Sequence, residues 1–152
     1  MWIHNNQRIT KDNFPKDMHG FVYLMGAVID GEKKYYIGKK TVYSNRKKAL
    51  TKKELEGITD KRLKTYKRIL TFIPFEKYFS SNTILQQAHV DGIKIKRVIL
   101  HFCKTKTELT YQETRYLFKS DALLRDEFLN DNILGKFYKS KIFVDDEEDE
   151  EE

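Results

Sequence analysis

The sequence predicts an α+β domain: a small antiparallel three-stranded sheet, built from an N-terminal hairpin and one later strand, flanked by helices. Three observations lead there. Residues 20–29 are an apolar run ending at Asp30-Gly31, a dipeptide suited to a two-residue hairpin turn. Tyr35-Tyr36-Ile37-Gly38 then reads as the returning strand, and residues 95–103 as a further strand. Beyond them, residues 107–120 repeat apolar positions with helical spacing. The chain has 152 residues, which suits one domain with a real core.

The elements follow in order. Residues 1–19 are polar, contain Pro15 and read as an irregular N-terminal arm. Residues 20–140 form the expected folded domain. Between Arg46 and Arg68 lie ten Lys or Arg, three acidic residues, no proline and one glycine, Gly57, which reads as the break between two helices. Pro74 interrupts the chain, and Ser80-Ser81-Asn82 can cap a helix that ends at Asp91-Gly92. A further helical piece is expected over residues 121–130. Residues 141–152 read as an acidic disordered tail, since like charges repel and nothing apolar balances them.

Composition narrows the function classes. With 39% hydrophobic and 34% charged residues, the chain reads as a soluble globular protein. The longest apolar run is about half of a membrane span, so no membrane partner is expected. A single cysteine, Cys103, excludes an intrachain disulfide framework and suggests a reducing compartment, with the cytoplasm as the expected location. The histidines, His4, His19, His89 and His101, show no metal-ligand spacing. The formal charge of +6 hides a division: residues 145–152 are all acidic, and without them 29 basic residues face 15 acidic ones, a body of +14. Such a body attracts a polyanion. The tail, tethered to it, is expected to compete for the same lysines.

Hairpin register brings two tyrosines together. With Asp30-Gly31 as the turn, Tyr36 faces Met25 and Gly38 faces Tyr23. Tyr23 and Tyr36 then share one sheet face as diagonal neighbours, roughly 7–8 Å apart. Gly38 leaves room for the Tyr23 ring. Spacing alone fits core packing more readily than chemistry.

Glu113 stands out for its side of the helix. On a wheel with Leu109 at zero, it falls at about 40°, between Tyr116 and Leu117. Glu108, Gln112, Arg115 and Lys119 fall on the opposite, solvated side. A carboxylate on an apolar stripe needs a cation, a metal or hydrogen bonds. An ion pair or an edge position would satisfy it as well as a metal would.

These residues form an ordered set. Gly20-Phe21-Val22-Tyr23 and Tyr36-Ile37-Gly38 resemble the two halves of the motif that names the GIY-YIG endonucleases. The likeness is strongest to small phage-type single-domain members, through Tyr36-Ile37-Gly38-Lys39-Lys40, Tyr78-Phe79-Ser80-Ser81, a strand ending in Cys103, and Tyr111-Gln112-Glu113. It covers residues 20–138. Arg46, ten residues after Tyr36, stands where the family carries a catalytic arginine. Glu113 stands where it carries a metal-binding glutamate, and Asn130 where many members carry an asparagine. Leu50 departs from the pattern, since several branches have a histidine or tyrosine there; that role is either absent or supplied from elsewhere, by Tyr78 or Tyr66.

The resemblance implies metal-dependent hydrolysis of DNA to 5′-phosphate and 3′-hydroxyl ends, in the host cytoplasm if the gene is a phage's. Mg²⁺ or Mn²⁺ would sit on Glu113. Arg46 would brace the phosphate, and Tyr23, with Tyr36 beside it, would help activate water. A tyrosine base needs positive charge nearby, which Lys39 or Lys40 could give; either lysine could also act on the water itself. Arg46, Lys47, Lys48, Lys52, Lys53, Arg62 and Lys64 would hold the DNA backbone. The competing expectation is a catalytically inactive nucleic-acid-binding module of the same fold.

Overall fold

A computed structural model describes residues 1–59 and 66–142 of the chain. In chain order its elements are β1 (Trp2–His4), β2 (Gln7–Ile9), β3 (Gly20–Ile29), β4 (Glu32–Thr41), β5 (Tyr43–Ala49), α1 (Lys52–Leu55) and β6 (Tyr66–Phe72). There follow α2 (Thr83–Val90), β7 (Lys96–Cys103), α3 (Lys106–Lys119), β8 (Asn132–Ile133), β9 (Phe137–Tyr138) and α4 (Lys139–Ile142).

The hairpin has the expected register. β3 and β4 pair antiparallel from Ile29↔Glu32 to Gly20↔Thr41, with Met25 opposite Tyr36 and Tyr23 opposite Gly38. Asp30 and Gly31 both have positive φ, 52° and 80°, as the two central residues of a type I′ turn require. That turn matches the twist of the strands and fixes the register by an even count. β7 pairs antiparallel with the other edge of β3, with a bulge between Val22 and Tyr23.

The sheet is larger and more mixed than the sequence suggests. Its order is β2-β1-β7-β3-β4. β1 lies parallel to β7, through Trp2↔Arg97 and Ile3↔Val98, and pairs antiparallel with β2. The first residues, expected to be an irregular arm, therefore extend the sheet. Trp2 is 1% exposed, and its indole Nε1 donates to the Phe75 carbonyl at 2.9 Å. A three-residue strand pairing with a partner some 95 positions away leaves no local periodicity to read.

Two other expectations change. Among its described residues the basic stretch contains one short helix, α1, between β5 and β6, a two-stranded antiparallel ribbon paired from Tyr43↔Phe72 to Ala49↔Tyr66. Lysine-rich sequence favours helix locally, and the ribbon is fixed instead by aromatic packing at its root, where Tyr43 and Phe72 lie 5.6 Å apart and Phe72 reaches Phe75. Residues 121–130 are turns and extended chain, not helix. Residues 60–65 and 143–152 lie outside the described residues, and with them Arg62, Lys64 and most of the acidic tail.

Each sheet face carries a core. One gathers Trp2, Phe21, Tyr23, Met25, Phe75, Leu85 and Ile99 beneath α2 and the segment before it. The other gathers Val22, Ile37, Cys103, Leu109 and Leu117 beneath α3. α2 starts where expected, with Asn82 Oδ1 accepting from the Ile84 and Leu85 amides. α3 starts at the Thr105 cap, with Glu108 bonding back to the Lys104 amide at 3.1 Å.

Since Trp2 is a core residue, Trp2→Ala should cost about 3–5 kcal/mol. Urea unfolding followed by circular dichroism measures this; a midpoint equal to wild type would return residues 1–9 to a dispensable arm.

Candidate active site

Register, a glycine and a loop place the tyrosines. Tyr23 projects into the first core, 1% exposed, over Gly38. A Cβ on Gly38 would lie 2.4 Å from the Tyr23 hydroxyl oxygen, so the ring fills space that any larger residue would need. The Tyr23 and Tyr36 rings lie 6.3 Å apart between centroids. Tyr78, from the segment between β6 and α2, packs edge-on against Tyr23 at 5.8 Å, and the two phenol oxygens are hydrogen-bonded at 3.2 Å. Lys40, on the same face, places its Nζ 4.6 Å from the centre of the Tyr78 ring.

Tyr36 opens onto a groove of about 550 Å³ that also takes in Lys39, Ser81, Asn82, Glu113 and Asp131. Glu113 reaches it from α3, and Lys39 Nζ donates to Thr110 Oγ1 at 2.9 Å, one turn earlier on that helix. The groove lies where β4 runs out of partners. Tyr35 bonds to residues 127 and 129 through its backbone. At Ile37 the partner becomes a side chain: Asn130 Oδ1 accepts from the Ile37 amide at 3.0 Å, and Nδ2 donates to the Ile37 carbonyl at 2.7 Å. The buried Asn130 amide thus stands in for one peptide of a neighbouring strand, and the chain then departs.

Electrostatics separate these groups. Burial raises the Tyr23 phenol far above its ordinary value, with the Tyr78 phenol adding to the effect and the Ser80 hydroxyl opposing it. Burial also raises Tyr36; Ser81 opposes, while the charge of Glu113 adds. Burial lowers Lys40 and raises Glu113, the latter offset by the charge of Lys39. Among the described residues Glu113 forms no ion pair. A half-buried carboxylate without a cation is the donor a divalent ion needs, and oxygen ligands suit Mg²⁺ or Mn²⁺.

The structure therefore brings together Tyr23, Tyr36, Tyr78, Lys39, Lys40, Glu113 and Asn130. Among the described residues, burial and the neighbouring phenols dominate the surroundings of Tyr23, and Lys40 approaches it through the Tyr78 ring. Arg46 lies in β5 opposite Ile69, and its side chain is outside what is described. Lys47, Lys48, Lys52 and Lys53 are exposed on the ribbon and α1, and Lys47 Nζ sits 4.7 Å from the centre of the Tyr66 ring. Sequence reasoning passed over Ser80, Ser81 and Asp131 as site neighbours; the Tyr78-Phe79-Ser80-Ser81 run was the available signal. It also missed a second grouping, in which donor atoms of His101, Cys103 and Glu108 lie within 4.8 Å of one another. The His101–Glu108 approach of 3.6 Å and the helix-capping bond of Glu108 account for it.

A β-hairpin presenting two tyrosines on one face, beside a helix-borne carboxylate at the edge of its second strand, defines the GIY-YIG arrangement. The chain belongs to the GIY-YIG nuclease family: the family described as "Putative endonuclease segE, GIY-YIG domain" matches residues 2–142. No curated protein and no solved structure matches the chain. The match takes in the first two strands as well as the residues that carry the motif.

Because burial raises Glu113 above the ordinary carboxylate range, its contribution favours the fold only while it is protonated. That contribution is complete below the unfolded-chain value and is lost as pH rises through the folded value. In metal-free buffer, Glu113→Gln should therefore melt above wild type near pH 7, and the gap should close near pH 4. Thermal melts across that range test it. A glutamine variant less stable than wild type at neutral pH would mean that a protein partner already satisfies the carboxylate.

Proposed function

We propose that this chain is a metal-dependent DNA endonuclease that hydrolyses phosphodiester bonds to 5′-phosphate and 3′-hydroxyl ends. The observation that carries this reading is Glu113: a half-buried carboxylate, without an ion pair among the described residues, facing Tyr36 and Lys39 across an open groove. Glu113 would hold one Mg²⁺ or Mn²⁺, which when bound supplies Lewis acidity for the scissile phosphate.

The chain's own residues take the remaining roles. Lys39, already oriented by Thr110, would offset charge on the non-bridging oxygens, together with Arg46. Tyr36 is the phenol that reaches the groove, so its hydroxyl is placed to orient the attacking water. Tyr23 is too buried to meet that water. Its part is to hold Tyr78, and with Ser80 it forms a hydroxyl cluster behind Tyr36. Lys40, whose ammonium is disfavoured by burial, is the better proton acceptor of the groups around Tyr78. Duplex backbone would lie along the exposed lysines of the β5–β6 ribbon and α1, Lys47, Lys48, Lys52 and Lys53, and Arg62 and Lys64, outside the described residues, would add charge for it.

Supercoiled plasmid incubated with Mg²⁺ or Mn²⁺, against an EDTA control, tests the reading. Wild type should nick or linearise it in the metal arms only. Glu113→Gln should abolish cleavage while DNA binding survives, and Tyr36→Phe should slow cleavage by about tenfold or more. Mg²⁺ should raise the melting temperature of wild type and leave Glu113→Gln unmoved. Salt-dependent DNA binding without cleavage in any metal would leave a binding module of the same fold.

A further inference from the structure

Among the described residues Arg97 is a buried cation without a carboxylate partner. It lies in β7, opposite Met25 on one side and Trp2 on the other, and is 4% exposed. Its guanidinium carbon sits 4.9 Å from the centre of the Trp2 ring and 4.1 Å from that of Phe79. Nη1 donates to the Glu76 carbonyl at 2.7 Å and to the Tyr78 carbonyl at 2.9 Å, while Nε has no hydrogen-bond partner among the described residues. Burial disfavours the charge, and an apolar side chain would fill the space without that cost. What an apolar residue cannot do is donate from one nitrogen, Nη1, to two main-chain carbonyls while its planar group lies between two rings.

Those two carbonyls bracket the segment that delivers Tyr78. The same segment is tied by Trp2 to the Phe75 carbonyl and by Gln86 Nε2 to the Ser80 carbonyl, each at 2.9 Å. It passes through Ser80 at φ 72°, a left-handed conformation that a serine holds only when its surroundings impose it. Phe79, one side of the arginine sandwich, stacks in turn on His89 of α2 at 3.7 Å. We propose that Arg97 is a positioning residue for the cleavage groove: by clamping the Glu76 and Tyr78 carbonyls it sets the Tyr78 phenol against Tyr23 and presents Ser81 to Tyr36. The inference rests on the nuclease reading. It assigns Arg97 no contact with DNA or metal.

The test compares Arg97→Met, Arg97→Lys, Tyr78→Phe and the Arg97→Met/Tyr78→Phe double variant in single-turnover cleavage and DNA binding. Arg97→Met should lower the cleavage rate on the order of 10²-fold with DNA affinity unchanged. The double variant should be no slower than the slower single, since both changes remove the same placement. A wild-type rate per folded molecule, or losses that multiply, would overturn the proposal. Should Arg97→Met fail to fold, Arg97→Lys keeps the stem and charge without the planar guanidinium that Trp2 and Phe79 hold over the two carbonyls, and is expected to show the same pattern. A second readout uses protein labelled with ¹³C at the tyrosine ζ carbon. In Arg97→Lys the Tyr23 and Tyr78 signals should shift while those of the exposed Tyr111 and Tyr138 stay; unmoved Tyr23 and Tyr78 signals would also overturn it. If wild type itself does not cut, the nuclease reading falls, and the tyrosine signals still decide whether Arg97 places Tyr78.

Discussion

Opposite Tyr23 the facing strand has no side chain, and the groove is arranged around that gap. The Tyr23 ring lies across Gly38, which brings its hydroxyl to Tyr78 and leaves Tyr36, two residues before Gly38 on the same strand, at the margin of the sheet. The arrangement depends on hairpin parity. A one-residue change in the Asp30-Gly31 turn would send the two phenols to opposite faces and close the space with a side chain. The two-residue turn and the glycine therefore act as one constraint: the first sets which face, the second sets how close.

How much of this the sequence disclosed follows from how local each interaction is. Turn, register and the Tyr23–Gly38 pairing lie within twenty residues and could be read directly. Glu113 betrayed itself by occupying the wrong side of an amphipathic helix, which needs no partner to be noticed. The β1–β7 pairing, the ribbon at β5 and β6, and the Arg97 clamp depend on contacts between distant segments. Arg97 is instructive because it sits in a strand of ordinary alternation. Neither its burial nor the carbonyls it finds can be read from the strand alone. Lysine-rich sequence misled in the other direction at β5 and β6, where intrinsic helix propensity is overridden by aromatic packing at the ribbon's root.

The proton inventory narrows what the tyrosines can do. A tyrosinate needs cations close by, yet Tyr23 is surrounded by rings and hydroxyls, and both it and Tyr36 are held toward the neutral phenol. A neutral phenol can still donate one hydrogen bond and accept another, which is enough to orient water or pass a proton along a chain of hydroxyls. The group moved toward easier deprotonation is Lys40, beneath the Tyr78 ring. Charge and hydroxyl geometry are thus divided between different residues, and the phenols need not ionise for the groove to be useful.

The edge of β4 gives the groove its boundary. A bare edge would invite another strand, and residues 127–130 cover the part near Tyr35 with backbone bonds. At Ile37 the Asn130 side chain finishes that pairing. A backbone partner there would have had to continue along β4 and cover Lys39. A side-chain amide satisfies the same donor and acceptor and lets the main chain turn away after one residue. Among the described residues the YIG strand is therefore protected as far as its isoleucine and open beyond it, where Lys39 and Glu113 face the groove.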